Sequence, residues 1–451
     1  MQESNLDNNL DNNLDNNLGT EKLSKLFMTI VVPSIIAMVI MGIQGMIDGI
    51  FLGNFVGSNA MASVNIALPF MQVSSAIGMV ISIGGTAFIG RMLGSDDRAT
   101  AETIFKTCFL TLIASGLIVL IIGTCFSESL ANMLGANDIL IQDTSVYIKT
   151  LTLFLPFLLI YFLVSFVNRL IGKPELFLIG TIVSIITNIA LNYLLIAKLE
   201  LGVRGAGFAT GLSYVVGFLI NIPPVFNKNC DINVYDGKFD FNILMKVAYN
   251  GSSEGITSIA MAVNTLVFNL TFMHYYGENG VSAFTIIGYI SQVANLFIFG
   301  LVDGISPIIS FNFGAKLYDR VKKVVIISVI INLVIGIFTY LVILLFGENL
   351  IGIFIDDNIE LINLTYNGAK LYSLMFFICG FNILASSYFT AIGEAGKSVI
   401  ISASRGLVFI LIGIVLLPNI FGVDGVWLVT PFADLVTLII LTAMLSKYKI
   451  H

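Results

Sequence analysis

The stretch Leu26–Phe51, LFMTIVVPSIIAMVIMGIQGMIDGIF, contains no lysine or arginine and a single acid, Asp48. It is longer than the roughly 20 residues that a helix needs to cross about 30 Å of hydrocarbon, so it predicts a membrane-spanning helix. Eleven further apolar stretches of spanning length follow. The twelve predicted helices lie near Leu26–Phe51, Ala62–Gly90, Phe105–Phe126, Val146–Ile171, Leu176–Ala197, Gly205–Phe226, Ile243–Tyr275, Val281–Phe311, Val324–Phe346, Asn367–Ile392, Ser398–Asn419 and Val426–Leu445.

The composition indicates the same class of protein. Apolar residues make up 57% of the chain and charged residues only 11%, which is too apolar for a soluble domain. The sequence therefore predicts an all-α integral membrane protein with twelve transmembrane helices. Its surroundings are the lipid bilayer, and no nucleic-acid partner is expected.

Lysine and arginine are concentrated in alternate gaps between the predicted helices. Of the 22 basic residues, 18 lie on the side that carries both termini. Because such residues are enriched in cytoplasmic loops, we expect a multi-pass plasma-membrane protein with both termini in the cytoplasm.

The chain contains two copies of one unit, offset by about 220 residues. Six helices are repeated, and because six is even, both copies enter the membrane in the same orientation. Two parallel six-helix repeats are typical of transporters whose halves move relative to each other. Aligned pairs of identical residues include Gly84/Gly304, Gly94/Gly314, Thr210/Thr430 and, at an offset of 221, Gly172/Gly393.

The repeat divides the chain into two predicted lobes. Residues 1–21, rich in asparagine, are expected to form a disordered cytoplasmic tail. Residues 22–226 form an N-lobe with helices 1–6, residues 227–242 a polar cytoplasmic linker, and residues 243–451 a C-lobe with helices 7–12.

One group of intramembrane polar residues is a candidate ion site. A carboxylate in lipid is costly, so Asp48 is a functional candidate by default. Asn188 and Asn192 lie one helical turn apart at the same predicted depth, and Thr210 reaches that depth from the next helix. These oxygen ligands suit Na⁺ or a proton shared with the carboxyl group. The second repeat has Phe268 in place of Asp48, which favours chemistry over a purely architectural role.

Further polar residues are candidates for substrate binding or coupling. Glu254 could recognise a cationic substrate, carry a proton or only join helices by a hydrogen bond. Gln44, Asn264 and Asp303 add polar groups, and Asp303 could instead cap or pair near the membrane edge. Pro33 lies in the same helix as the candidate carboxylate and predicts either a hinge or a static kink.

No enzyme chemistry is predicted. Gly251-Ser252-Ser253-Glu254-Gly255 matches G-x-S-x-G but lacks the strand-to-helix turn and histidine base of a hydrolase. Gly396-Lys397-Ser398 resembles the end of a P-loop, but no strand precedes it. The four cysteines are scattered, so neither a disulfide nor a metal-binding cysteine cluster is expected. No cofactor is expected other than the coupling ion.

The chain resembles the multidrug and toxic compound extrusion (MATE) family over about residues 22–446, all but the tail. The resemblance rests on the segment around Pro33 and Asp48, the Asn188/Asn192 pair and the run from Gly202 to Thr210. Two further runs resemble the MepA-like bacterial subgroup. They are Gly251-Ser252-Ser253-Glu254 and Asp303-Gly304-Ile305-Ser306-Pro307.

The resemblance implies export of organic cations and dyes, driven by inward flow of Na⁺ or H⁺ through alternating access of two lobes. It also implies that Asp48, Asn188, Asn192 and Thr210 bind the ion, with Glu254 assisting in the C-lobe. Some members carry an acid in helix 10, which this sequence lacks between Ser373 and Ile392. Cationic amphipathic molecules are the expected substrates, and a monomer is the expected state.

Two alternatives remain. A flippase for lipid-linked sugars shares the broad helix plan but would need a cationic cavity for pyrophosphate. A non-catalytic membrane receptor would need no ion site, and ion-gradient-dependent dye efflux would distinguish it from a pump.

Overall fold

The computed structural model describes residues 17–354 and 358–447, and every regular element within these ranges is helical. The all-α prediction is therefore confirmed. The greater part of the predicted tail, residues 1–16, lies outside the described ranges.

The first half contains six helices that correspond to the first six predicted spans. They are α1 (Leu23–Phe55), α2 (Ser58–Gly94), α3 (Arg98–Cys125), α4 (Ile141–Thr152 and Leu155–Leu170), α5 (Glu175–Lys198) and α6 (Gly202–Asn221). The two parts of α4 are bent by 48° relative to each other, whereas the sequence predicted one helix there. Pro156 lies in the first turn after the break, and its missing N–H explains why the helical hydrogen bonds are interrupted.

The second half begins with a helical hairpin. Gly277 has φ 63° and ψ −152° inside the 74-residue stretch Phe241–Gly314, a conformation that suits glycine. The rings of Phe268 and Phe284 lie 5.0 Å apart, although a straight helix would separate residues so spaced by about 24 Å. The chain therefore reverses at Gly277, which divides α7 (241–276) from α8 (278–314).

Four more helices complete the fold. They are α9 (Tyr318–Gly352), α10 (Ile359–Ile392), α11 (Ala395–Val426) and α12 (Val429–Lys447). In the described ranges, ten helices are long and apolar enough to span a membrane, and the bent α4 adds an eleventh. Counting α7 and α8 separately gives the twelve predicted helices.

The internal repeat is visible in the backbone. Helices α3 and α9 begin at residues 98 and 318, and α5 and α11 begin at residues 175 and 395. Positive φ angles recur at the same offset. The corresponding residues are Gly57 and Gly277, Asp96 and Lys316, Gly202 and Gly422 and, one residue further apart, Gly172 and Gly393. Turns in the two copies therefore have matching conformations.

The chain packs into two compact units. Unit 1 contains the described residues up to Gly251 together with Asp303–Leu317 and Ala391–Gly393. Unit 2 contains Ser252–Val302, Tyr318–Thr390 and the described residues from Glu394 onward. The first turns of α7 and the last turns of α8 thus belong to unit 1. The N-lobe and C-lobe inferred from the internal repeat stay a prediction.

Within unit 1, α5 packs against both α1 and α6. Leu52 of α1, Ile196 of α5 and Val203 of α6 belong to one buried apolar cluster. Because helical residues four apart share a face, this packing directs the side chains one turn away from Leu52 and Ile196 toward the same region.

Candidate ion-binding site

Asp48 of α1 is held by three hydrogen-bond donors from two other helices. Its Oδ1 accepts from Nδ2 of Asn188 at 2.9 Å and from Nδ2 of Asn192 at 2.7 Å. Its Oδ2 accepts from Oγ1 of Thr210 at 2.8 Å. The four residues that the sequence placed at one depth are therefore in direct contact.

The two asparagines form the buried wall of this site. Asn188 and Asn192 are both 0% exposed and lie one turn apart on α5. Nδ2 of Asn192 also contacts Oδ1 of Asn188 at 3.2 Å, and Nδ2 of Asn188 contacts Oγ1 of Thr210 at 3.4 Å. Oδ1 of Asn192 is buried and has no hydrogen-bond partner among the described residues, which leaves one acceptor oxygen beside the carboxylate.

Among the described residues, only neutral groups donate hydrogen bonds to the carboxylate of Asp48. In the described part of the chain, no lysine, arginine or histidine nitrogen forms an ion pair with it. Its titratable neighbours include Tyr147 and Tyr214. Asp48 is only partly buried, but a carboxylate held among neutral groups without a counter-charge is still energetically costly. A bound proton or small cation would lower that cost.

A second layer of hydrogen bonds orients the site. Gln44, one turn before Asp48, donates from Nε2 to Oγ of Ser213 at 3.0 Å. Ser213 donates to the carbonyl oxygen of Thr210 at 2.7 Å, and Ser184 donates to the carbonyl oxygen of Ser213 at 2.8 Å. Neither serine was among the residues predicted from the sequence. The spacing of Ser184 four residues before Asn188 was the available signal.

The other sequence candidates make separate contacts. Nδ2 of Asn264 donates to the carbonyl oxygen of Gly406 at 2.8 Å, which joins α7 to α11. Glu254 is partly buried in α7, where its carbonyl oxygen accepts from Oγ of Ser258 at 3.0 Å. Their roles in substrate binding or coupling stay predictions.

Asp303 lies beside a buried arginine in unit 1. Nη1 of Arg169 donates to the carbonyl oxygen of Asp303 at 3.1 Å and to Oγ of Ser34 at 3.2 Å. The guanidinium also lies over the rings of Phe166 and Phe177, at 4.6 and 4.5 Å from their centroids. Arg169 is one of the 18 basic residues counted on the side of both termini, and the structure places it in the interior at 1% exposure.

Pro33, the predicted hinge, follows an irregular turn of α1. The five residues Phe27–Val31 form a π-helical segment that ends two residues before Pro33. Oγ of Ser34 donates to the carbonyl oxygen of Ile30 at 2.8 Å. Wide turns of this kind often occur where a helix bends or at functional sites. Bending of α1 at Pro33 stays a prediction.

Unit 2 contains a different buried carboxylate. Oδ1 of Asp434 accepts from Nε of Arg405 at 3.1 Å and from Nδ2 of Asn382 at 2.9 Å. Asp434 is 1% exposed. Because the arginine balances its charge, this cluster joins α10, α11 and α12 without the uncompensated charge that distinguishes Asp48.

The chain matches a protein family and two curated relatives. The sequence pattern of the MatE family matches residues 33–194 and 255–416, one match in each repeat. The chain is similar to the multidrug export protein MepA of Staphylococcus saprophyticus, with 29% identity over 403 residues that cover 88% of this chain and 87% of that protein. It is also similar to the protein of the same name from Staphylococcus aureus, with 28% identity over 402 residues that cover 87% and 86%.

Solved structures share the fold. An outward-facing conformation of a multidrug resistance MATE family transporter of the MOP superfamily has a TM-score of 0.88 at 21% identity, covering 94% of this chain and 96% of that one. A MATE structure in the straight conformation has the same TM-score, identity and coverage. Both repeats match one family pattern, and the fold extends along nearly the whole chain. The protein therefore belongs to the MatE family of membrane transporters.

Proposed function

We propose that this protein is a secondary active antiporter that exports cationic amphipathic molecules in exchange for Na⁺ or H⁺ bound at Asp48. The single observation that carries the proposal is the uncompensated carboxylate, which accepts hydrogen bonds from Asn188, Asn192 and Thr210. The exchange proceeds by alternating access, with both termini in the cytoplasm and the protein acting as a monomer in the plasma membrane.

The chemistry of the site suits either coupling ion. Asp48, Thr210 and the free Oδ1 of Asn192 supply hard oxygen ligands of the kind that Na⁺ prefers. A proton on the Asp48 carboxyl group would instead remove the negative charge, and the neutral carboxyl group could donate a hydrogen bond to a neighbouring oxygen. Either ion relieves the cost of a partly buried carboxylate that has no counter-charge.

Coupling follows from the same cost. An ion drives a conformational change only if it binds one state more tightly than the other. Loading of Asp48 neutralises the charge and removes the requirement for three simultaneous donors, so that α1, α5 and α6 can repack. We propose that this repacking accompanies release of the substrate to the outside.

The substrate class rests on two supports. The similar proteins from both Staphylococcus species are named multidrug export proteins. The chain also carries 35 phenylalanines and 15 methionines, and such side chains accommodate bulky aromatic cations through adaptable apolar contacts and cation–π attraction. Organic cations and dyes are therefore the proposed cargo.

A flippase for lipid-linked sugars is less well supported. Such a substrate would require free cationic groups for its pyrophosphate. The guanidinium of Arg169 donates to protein oxygens, and that of Arg405 is paired with Asp434.

The experiment is drug resistance conferred on a sensitive bacterial host. Asp48→Asn preserves the size of the side chain but removes its charge, and we expect it to abolish resistance to a cationic dye. The matched control is Asp138→Asn, the same change at an exposed loop position, which should retain resistance. Equal resistance for Asp48→Asn and the parent, at equal protein abundance in the membrane, would remove Asp48 from the mechanism.

A further inference from the structure

Helices α2 and α8 touch backbone to backbone at the face where α1 begins and α2 ends, here called the terminal face. A Cβ atom added at Gly94 of α2 would lie 2.0 Å from the carbonyl oxygen of Phe311. A Cβ atom added at Gly314 of α8 would lie 2.1 Å from the carbonyl oxygen of Arg91. Real Cβ atoms do not approach oxygen so closely, so only glycine permits this crossing.

A second set of glycines joins α2 to α7 and α1 to α8. A Cβ at Gly84 would lie 2.3 Å from the carbonyl oxygen of Val247 and 2.8 Å from the amide nitrogen of Gly251. A Cβ at Gly304 would lie 2.7 Å from Cα of Val31. All of these residues belong to unit 1.

The two sets of contacts obey the internal repeat. Gly94 contacts Phe311 while Gly314 contacts Arg91, and each residue is exchanged for its partner at the 220-residue offset. The contact of Gly84 with Gly251 and that of Gly304 with Val31 are related in the same way. In each case the two repeats use the same surface, as the subunits of a two-fold symmetric dimer do. The contacts at both pairs of glycines therefore belong to one interface between the two repeats.

Buried polar side chains secure the same face. Arg169 links Ser34 of α1 to the carbonyl oxygen of Asp303 in α8. Asn312 of α8 donates to the carbonyl oxygen of Leu18 at 2.9 Å, in the segment that precedes α1. These donors are buried, and separating the helices would remove their acceptors, which costs free energy unless water replaces them.

We propose that the reciprocal glycine contacts and Arg169 form a clamp that holds the cytoplasmic ends of the helices shut, and that the clamp separates as a unit when the protein opens toward the cytoplasm. This inference rests on the proposed function, because opening toward the cytoplasm is a step of the proposed transport cycle. It names Gly84, Gly94, Gly304 and Gly314 as the residues that set how closely this face closes.

A buried cysteine reports the state of the clamp. Cys108, Cys125, Cys230 and Cys379 are replaced by alanine, and Ser310→Cys is introduced alone. Ser310 is 0% exposed, and its Oγ lies 2.2 Å from the position of a Cβ at Gly90, so it lies where α2 meets α8. A membrane-impermeant maleimide is applied to inside-out vesicles, and the labelling rate is compared with that of the exposed position Ser95→Cys.

The parent clamp should protect the reporter. We expect Ser310→Cys to react at least about tenfold more slowly than Ser95→Cys, because access requires the helices to separate. Gly94→Ala and, separately, Gly314→Ala should each raise the reporter's rate by about tenfold or more, because overpacking raises the free energy of the closed form. The matched control is Gly288→Ala, on the same helix as Gly314. No atom lies within 4 Å of the Cβ that it adds, so it should change the labelling rate by less than about twofold.

The proposal is overturned if Gly94→Ala and Gly314→Ala both leave the labelling rate of Ser310→Cys at its parent value, or if Gly288→Ala raises that rate equally. It is also overturned if Ser310→Cys in the parent reacts as fast as Ser95→Cys. Should neither alanine variant accumulate, Arg169→Gln in the protein with all glycines intact provides the same readout, and an unchanged rate there also overturns the proposal. Because labelling measures opening without transport, its outcome is distinguishable from a failure of ion coupling at Asp48.

Discussion

Moving the carboxylate of the candidate ion site from α1 to α5 tests the proposed role of Asp48. In Asn192→Asp, an oxygen replaces the Nδ2 atom that lies 2.7 Å from Oδ1 of Asp48. Two ionised carboxylates with charge centres about 4 Å apart repel each other by about 4 kcal/mol at an effective dielectric constant near 20. That energy corresponds to a factor of about 10³ in the binding constant for a proton or cation. We therefore expect the pair to retain a proton or cation permanently.

Permanent loading should stop the exchange cycle. Dye efflux from reconstituted vesicles should fall to background in Asn192→Asp and in Asp48→Asn. The double variant Asp48→Asn/Asn192→Asp again has one carboxylate, one turn from Asn188 and beside an amide. We expect it to recover at least about a tenth of the parent rate, because a single charge is again compensated only by neutral donors.

The control for the new acid is Asn419→Asp, which adds a carboxylate at an exposed position near the end of α11 and should leave efflux unchanged. If the double variant folds and inserts but is no more active than Asp48→Asn, the charge alone does not define the site, and the reasoning fails.

Three further changes test other parts of the structure. Thr210→Val removes the hydroxyl that donates to Asp48. It should shift the ion concentration that gives half-maximal efflux by about tenfold, since hydrogen bonds to charged groups contribute about 1.5–3 kcal/mol. Thr210→Ser should keep the parent value, and the same value in both variants would show that the hydroxyl plays no part. Trp427→Ala removes a side chain that is 1% exposed and should lower the free energy of unfolding in detergent by about 3–5 kcal/mol; an unchanged melting temperature would contradict the packing. Arg405→Met should destabilise by about 3–5 kcal/mol because it leaves Asp434 buried and unpaired, whereas Arg405→Met/Asp434→Leu should recover most of that loss; a double variant as unstable as the single one would count against an ion pair.

The proximity of the four candidate residues could be predicted because they follow helical spacing. Asn188 and Asn192 differ by one turn, and the positions of Asp48 and Thr210 in their apolar stretches fixed a common depth. The structure brings all four together. The predicted span ends were less accurate because apolar character declines gradually at a helix end, whereas the hydrogen-bonded helix continues into the loops.

Contacts between distant segments were not predictable in this way. Arg405 and Asp434 lie on different helices, and nothing in their local sequence indicates the ion pair that the structure shows. Asp303 was a candidate for substrate binding or coupling because of its charge. Its backbone carbonyl oxygen, however, is the atom that accepts from Arg169. Such pairings depend on how helices pack, and local periodicity carries no information about them.

The most direct test of the account is dye movement in vesicles that contain only this protein, with sodium and pH gradients imposed separately. We predict that one of the two gradients drives dye transport against its concentration and that Asp48→Asn abolishes this dependence while the protein remains folded. Dye transport that ignores both gradients, or that keeps its gradient dependence without the Asp48 carboxylate, would contradict the account.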